Sequence, residues 1–181
     1  MLTLCCLVCS WSAQATAPRI APQMFGEEKK ADIVGFQFSP KEAAAKSENA
    51  LLLDIVTVAF KAAGQAPVLD VLPAKQLATY ALQNDEAAAL MGSLADLPAK
   101  ERGKYRAVTF YLGSKTTGNK AVALIFSKTA RGNALHRAFS AGLRDIIRSG
   151  KYLEILETYH GKGQVPADYA ARLKRQNPGW K

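Results

Sequence analysis

The order and period of the apolar residues predict an α/β fold: a mixed, mostly parallel sheet of about five strands flanked by helices. Three observations carry that reading. Short apolar runs of strand length alternate along the chain with segments of helical period. The first three runs are joined by segments that each hold a helix, the crossover that parallel neighbours need. The last two are joined only by GSKTTGN, a Gly- and Asn-bearing link too short for a helix and suited to an antiparallel hairpin.

Each element follows from local chemistry. Residues 33–38 form an apolar strand stopped by Ser39-Pro40. In residues 49–63, Leu51, Ile55, Val58 and Ala62 recur at helical spacing, and Gly64 supplies the stop. Pro67 opens a strand over 68–72. Pro73 then starts a second helix, PAKQLATYALQ, at the one position where its missing N–H is harmless. Its expected buried face is Ala74, Leu77, Ala81 and Leu82. Residues 87–91 are a third strand, Gly92-Ser93 turns the chain, and residues 98–103 form one helical turn. Strands at 105–112 and 120–126 make the hairpin. A long helix spans 133–149, with Asn133 as the expected cap and Leu135, Phe139, Gly142, Leu143 and Ile146 on one face. Gly150 breaks it, a helix over 151–160 follows, and Gly161 ends that one.

At 181 residues the chain is one domain, long enough to bury roughly 70% of its unfolded surface. A composition of 49% hydrophobic and 22% charged residues excludes disorder, collagen and a disulfide mini-scaffold. The net charge of +9 is uneven. Residues 1–100 carry 8 basic and 10 acidic side chains, whereas residues 101–181 carry 16 and 5. That asymmetry points to an acidic partner, an anionic ligand or an anionic surface.

Residues 1–15 read as a signal peptide: the run LTLCCLVCSW is followed by small residues, and Ala13-Gln14-Ala15 fits a cleavage site. Residues 16–30 are a leader, 31–165 the folded unit, and 166–181 a basic amphipathic tail. The expected location is the periplasm. Cys5, Cys6 and Cys9 all fall in the signal segment, so the exported chain is expected to hold no disulfide, zinc knuckle or cysteine nucleophile.

Four stretches, in order, resemble the bacterial extracellular solute-binding proteins of the polar amino-acid type: IVGFQFSP, the segment from LLLDIV to AAALM, GSLADLPAKERGKYRAVTFYL, and LHRAFSAGLRDIIRSGKYLEILETYHG. The last, with Phe-x-x-Gly-Leu and Ser-Gly-x-Tyr-x-x-Ile-x-x-x-Tyr-x-Gly, is the most specific. The resemblance covers most of residues 31–161 and implies one lobe of a type II periplasmic-binding-protein fold. Members of that family leave the first lobe after the aromatic strand, build a second lobe and return. GSKTTGN leaves no room for it, so the chain reads as a single-lobe form with one wall of the cleft.

The resemblance implies ligand-binding roles for Arg102, whose family counterpart clamps a carboxylate, and for Ser93, a ligand-contacting hydroxyl. Phe36 and Phe38 are the expected apolar lining. A guanidinium suits the task because it donates two parallel bonds to a carboxylate. The expected ligand is an amino acid or organic anion. The expected partners are a membrane transporter or sensor, and a second copy of the chain supplying the missing wall. The other reading is a periplasmic protein-interaction module with a vestigial ligand site.

Other chemistry finds little footing. Gly113 and Gly118 have P-loop spacing, but Asn119 stands where Lys is needed. His136 and His160 lack metal-ligand companions at helical spacing, so no metal or other cofactor is expected. No G-x-S-x-G context or catalytic carboxylate pair is present, so no enzyme is expected. No nucleic-acid motif accompanies the charge.

Overall fold

The computed structural model describes residues 31–36, 48–118 and 120–180, with only the backbone of Phe36. The expected signal peptide (1–15), leader (16–30) and Phe38 lie outside the described residues. Five strands and five helices are seen: β1 (Ile33–Phe36), α1 (Glu48–Ala62), β2 (Leu69–Leu72), α2 (Lys75–Gln83), β3 (Ala89–Gly92), β4 (Tyr105–Tyr111), β5 (Ala121–Ser127), α3 (Ala130–Arg148), α4 (Lys151–His160) and α5 (Tyr169–Gln176).

The sheet order is β2-β1-β3-β5-β4. β1 runs parallel to β2 and to β3, while β5 runs antiparallel to β3 and to β4. The expectation of a mostly parallel sheet is therefore corrected: half the pairings are antiparallel. The cause is the hairpin. A tight link forces β5 to run against β4, and β5 then inserts between β4 and β3 instead of extending the edge.

Two apolar layers cover the faces. On one side α1, α3 and α4 pack around Phe139, whose ring lies 5.3 Å from Phe60, 5.7 Å from Phe110 and 6.0 Å from Phe126. Gly142, one turn further along α3, lets α1 come close: a Cβ there would lie 1.8 Å from the Ala59 carbonyl oxygen. The Phe-x-x-Gly-Leu pattern thus has a packing cause. On the other side α2 lays Ala78, Ala81 and Leu82 over Val34, Leu90 and Ile125. Leu77, expected on that buried face, is half exposed instead, and Tyr80 is exposed beside it on the same helix.

The start of the sheet is tied by Asp32. Its carboxylate accepts from the Val68 N–H at 2.8 Å and pairs with Arg131 of α3, with Nη2 at 2.6 Å and Nε at 2.9 Å. α3 begins earlier than Asn133 predicts, because the Thr129 hydroxyl accepts from the Gly132 N–H and caps the helix there.

The far edge needs a different solution, since β4 has no neighbouring strand. The register bonds residues 106, 108 and 110 to β5 and turns the N–H and C=O of 105, 107, 109 and 111 outward. Side chains meet two of these. The Tyr152 hydroxyl of α4 accepts from the Tyr111 N–H at 2.9 Å and donates to the Tyr111 carbonyl at 2.5 Å. The Asn177 amide, which caps α5, accepts from the Thr109 N–H at 2.9 Å and donates to its carbonyl at 2.6 Å. Each polar tip behaves as a peptide group of a sixth strand. Tyr152 is fully buried, which pushes its phenol far above the ordinary range, and its ring stacks on Tyr169 at 5.9 Å. The basic tail thus folds back onto the domain, with Leu173 fully buried.

Tyr152→Phe is expected to cost about 2 kcal/mol, because it leaves a buried N–H and C=O unpaired. Asn177→Ala is expected to cost a similar amount, at roughly 1–2 kcal/mol. Tyr159→Phe, which removes only an exposed bond to Asp54, is expected to stay within about 0.5 kcal/mol of the parent. Urea unfolding measures all three; equal, small losses would contradict the edge assignment.

Candidate functional site

The carboxyl end of β3 leads into a loop, residues 92–104, that returns across the sheet to the start of β4. Its first turn is reciprocally capped. The Ser93 Oγ accepts from the Ala95 N–H at 3.2 Å, and the Asp96 carboxylate accepts from the Ser93 N–H at 3.0 Å. Asp96 also forms an ion pair with Lys75 of α2. Leu97 anchors the middle of the loop by full burial against the α2 layer.

Arg102 closes the loop from below. Its Nε donates to the Leu97 carbonyl at 3.1 Å and its Nη2 to the Ala95 carbonyl at 3.2 Å. Two of the five guanidinium N–H groups are thus engaged, and the residue remains exposed. The side chain has no carboxylate partner among the described residues. The neighbouring Glu101 accepts from Gln83 at 2.8 Å instead.

Beside the start of this loop lies an open recess of about 200 Å³, walled by residues 92–94, Ala107, Thr109 and residues 121–123. It exists because small side chains meet across the hairpin there: Thr109 faces Ala123, and Gly92 lies opposite Ala123 on the other side. Its polar groups are the exposed Ser93 hydroxyl and the Thr109 hydroxyl, and no charged side chain lines it.

Of the four expected ligand residues, Ser93 and Arg102 share one loop. The backbone of Phe36 ends β1, two strands from β5, but its side chain and all of Phe38 lie outside the described residues. Sequence reasoning missed the prior engagement of both loop residues. The signal was present in Ser93-x-x-Asp96, the spacing of a reciprocal cap.

The hairpin loop is built by its own hydroxyls. Ser114 Oγ accepts from the Thr117 N–H at 3.0 Å, and the Thr117 hydroxyl accepts from the Ser114 N–H at 2.9 Å. His160 meets the Leu112 carbonyl at 2.7 Å, and Tyr111 donates to the Gly118 carbonyl. His136 sits edge-on to Phe126 at 5.4 Å. Burial, aided by the nearby Arg106 and Arg137 charges, holds its imidazole below the ordinary range. Among the described residues no group of three or more His, Cys, Asp or Glu is placed to hold a metal ion, and no helix is long and apolar enough to cross a membrane.

No family model, curated protein or solved structure matches the chain.

The depressed His136 pKa sets a sign for stability. The unfolded chain binds the proton at a higher pH than the fold does, so stability is full above the unfolded value near 6.5 and falls as pH drops toward the folded value. Thermal unfolding between pH 7.5 and 5 is expected to show this loss, and His136→Gln is expected to flatten that part of the profile. An unchanged slope in the variant would contradict the assignment.

Proposed function

We propose that the chain is a solute-binding-like lobe that recognises a small carboxylate-bearing solute, such as an amino acid or organic anion, at the 92–102 loop. The observation that carries the reading is Arg102: a solvent-facing guanidinium, held by two loop carbonyls, with no carboxylate of its own. A group fixed in this way has already lost its rotamer freedom, so a carboxylate meets remaining N–H donors at lower entropic cost. The recess beside the loop, which Ser93 lines and Arg102 does not, offers hydroxyls and a volume suited to a compound of amino-acid size. Ser93 shapes the loop and keeps its own O–H as a donor.

The fold reading proposed with it is one lobe of a type II periplasmic-binding-protein-like fold. Its support is the placement of the hairpin. In the resembled family the chain leaves and re-enters the first lobe after the aromatic strand; here β4 and β5 lie side by side, joined by a short loop. Recognition by one open wall is weak, and a second copy of the chain is the simplest source of the other. The proposed setting is the periplasm, with a transporter or sensor as the downstream partner.

Thermal unfolding against a panel of amino acids and small organic acids tests the site. A ligand at a hundredfold excess over its Kd adds about 2.7 kcal/mol, which for a chain of this size is a rise of roughly 5–10 °C. The rise is expected for at least one carboxylate and is expected to vanish in Arg102→Gln, whose ligand-free melting remains cooperative. No shift with any compound, or a shift that persists in the variant, would contradict the reading.

A further inference from the structure

A second concave region lies on the outer edge of β4 and shares Ala107 with the recess beside that loop. It is a groove of about 550 Å³ between α3 and residues 176–180, with His136, Arg137, Ser140 and Arg144 on one wall and Gln176 and Trp180 on the other. No carboxylate lines it among the described residues. Arg137 and Arg144 have no ion-pair partner there either. They stand seven residues apart on α3, two turns and about 10.5 Å along the axis.

The groove also holds unsatisfied backbone. Ala107 lines it and turns its N–H and C=O outward from β4, one step along from the Thr109 groups that Asn177 covers. Neither Ala107 group meets a protein partner among the described residues. Gln176 adds a buried side-chain oxygen, Oε1, with no hydrogen-bond partner.

These features define the ligand's chemistry. Two free guanidiniums ask for carboxylates. One free acceptor, the Ala107 carbonyl, asks for an N–H donor, which an inorganic anion or a simple organic acid does not offer. One N–H, from Ala107, asks for a carbonyl. A peptide with acidic side chains supplies all three. We propose that this groove binds an extended acidic segment of a partner protein, which pairs its backbone with Ala107 where the Asn177 amide ends and sets carboxylates against Arg137 and Arg144. Strand addition at an open sheet edge is a common mode of peptide recognition. On such a strand, alternate side chains fall about 6.7 Å apart, and those four residues apart about 13 Å. The long glutamate and arginine side chains span the difference from 10.5 Å. The excess of basic residues in 101–181 favours the same partner. The site is independent of Arg102.

The probe is a fluorescein-labelled, end-blocked heptapeptide alternating Glu and Val, titrated into the full chain and followed by anisotropy. Saturable binding is expected, weakened at least tenfold in Arg137→Gln/Arg144→Gln, since each charged hydrogen bond removed carries about that much. It is expected to persist in Arg102→Gln. On the unaltered protein, a peptide N-methylated at its central residues keeps its charge but loses its donors, and is expected to bind at least tenfold more weakly. Equal binding of the methylated peptide, or competition by free glutamate at matched concentration, would show an anion site without strand pairing and overturn the proposal. Absence of saturable binding at low salt, or full affinity in the double variant, would overturn it as well.

Discussion

A sheet that ends at β4 must satisfy the backbone of β4, and the rest of this molecule is arranged around that requirement. An exposed edge strand invites pairing with other chains. Here the Tyr152 hydroxyl and the Asn177 amide occupy alternate positions along the edge, each serving one N–H and one C=O. Both side chains need their helices in place. Tyr152 is held by burial and by stacking on Tyr169, and Asn177 by the end of α5, where its amide also donates to the Leu173 carbonyl at 2.9 Å. The α4–α5 region therefore acts as a substitute strand, and the basic tail is part of the fold. The same arrangement stops one residue short, at Ala107, and leaves the basic groove open beside it.

The two candidate ligand residues are both engaged by the fold itself. Ser93 and Arg102 both hold the 92–104 loop in shape through backbone groups. That engagement does not consume the guanidinium, and it fixes where the remaining donors point. The recess beside the proposed solute site and the proposed peptide groove meet at Ala107, which lines both, and the two proposals use different arginines.

Much of the fold was legible because its signals are local. Apolar period marked the first four helices within a few residues, and the Gly–Asn content of GSKTTGN marked the hairpin. The errors came from non-local terms. The sheet was expected to be mostly parallel because nothing in the sequence of β5 says that it inserts between β3 and β4 and pairs antiparallel with both. Leu77 was expected to be buried from its spacing on α2, yet the layer beneath is already filled by Ala78, Ala81 and Leu82. Asn133 was expected to cap α3, but Thr129 is better placed and the helix starts one turn earlier. Of the candidate site, Ser93 and Arg102 came from the resemblance, and the structure places both on one loop. The Tyr152 and Asn177 plugs were not, because each acts on a strand 41 or 68 positions away in the chain.

The central claim is that side chains of the α4–α5 region complete the edge of β4 and leave Ala107 open. Residue-resolved amide hydrogen exchange tests it directly. The account predicts slow exchange at Thr109 and Tyr111, comparable with Val108 and Phe110 that bond to β5, and much faster exchange at Ala107, which precedes them on the strand. Uniform protection along 107–111, or exchange at Thr109 and Tyr111 as fast as at Ala107, would contradict it.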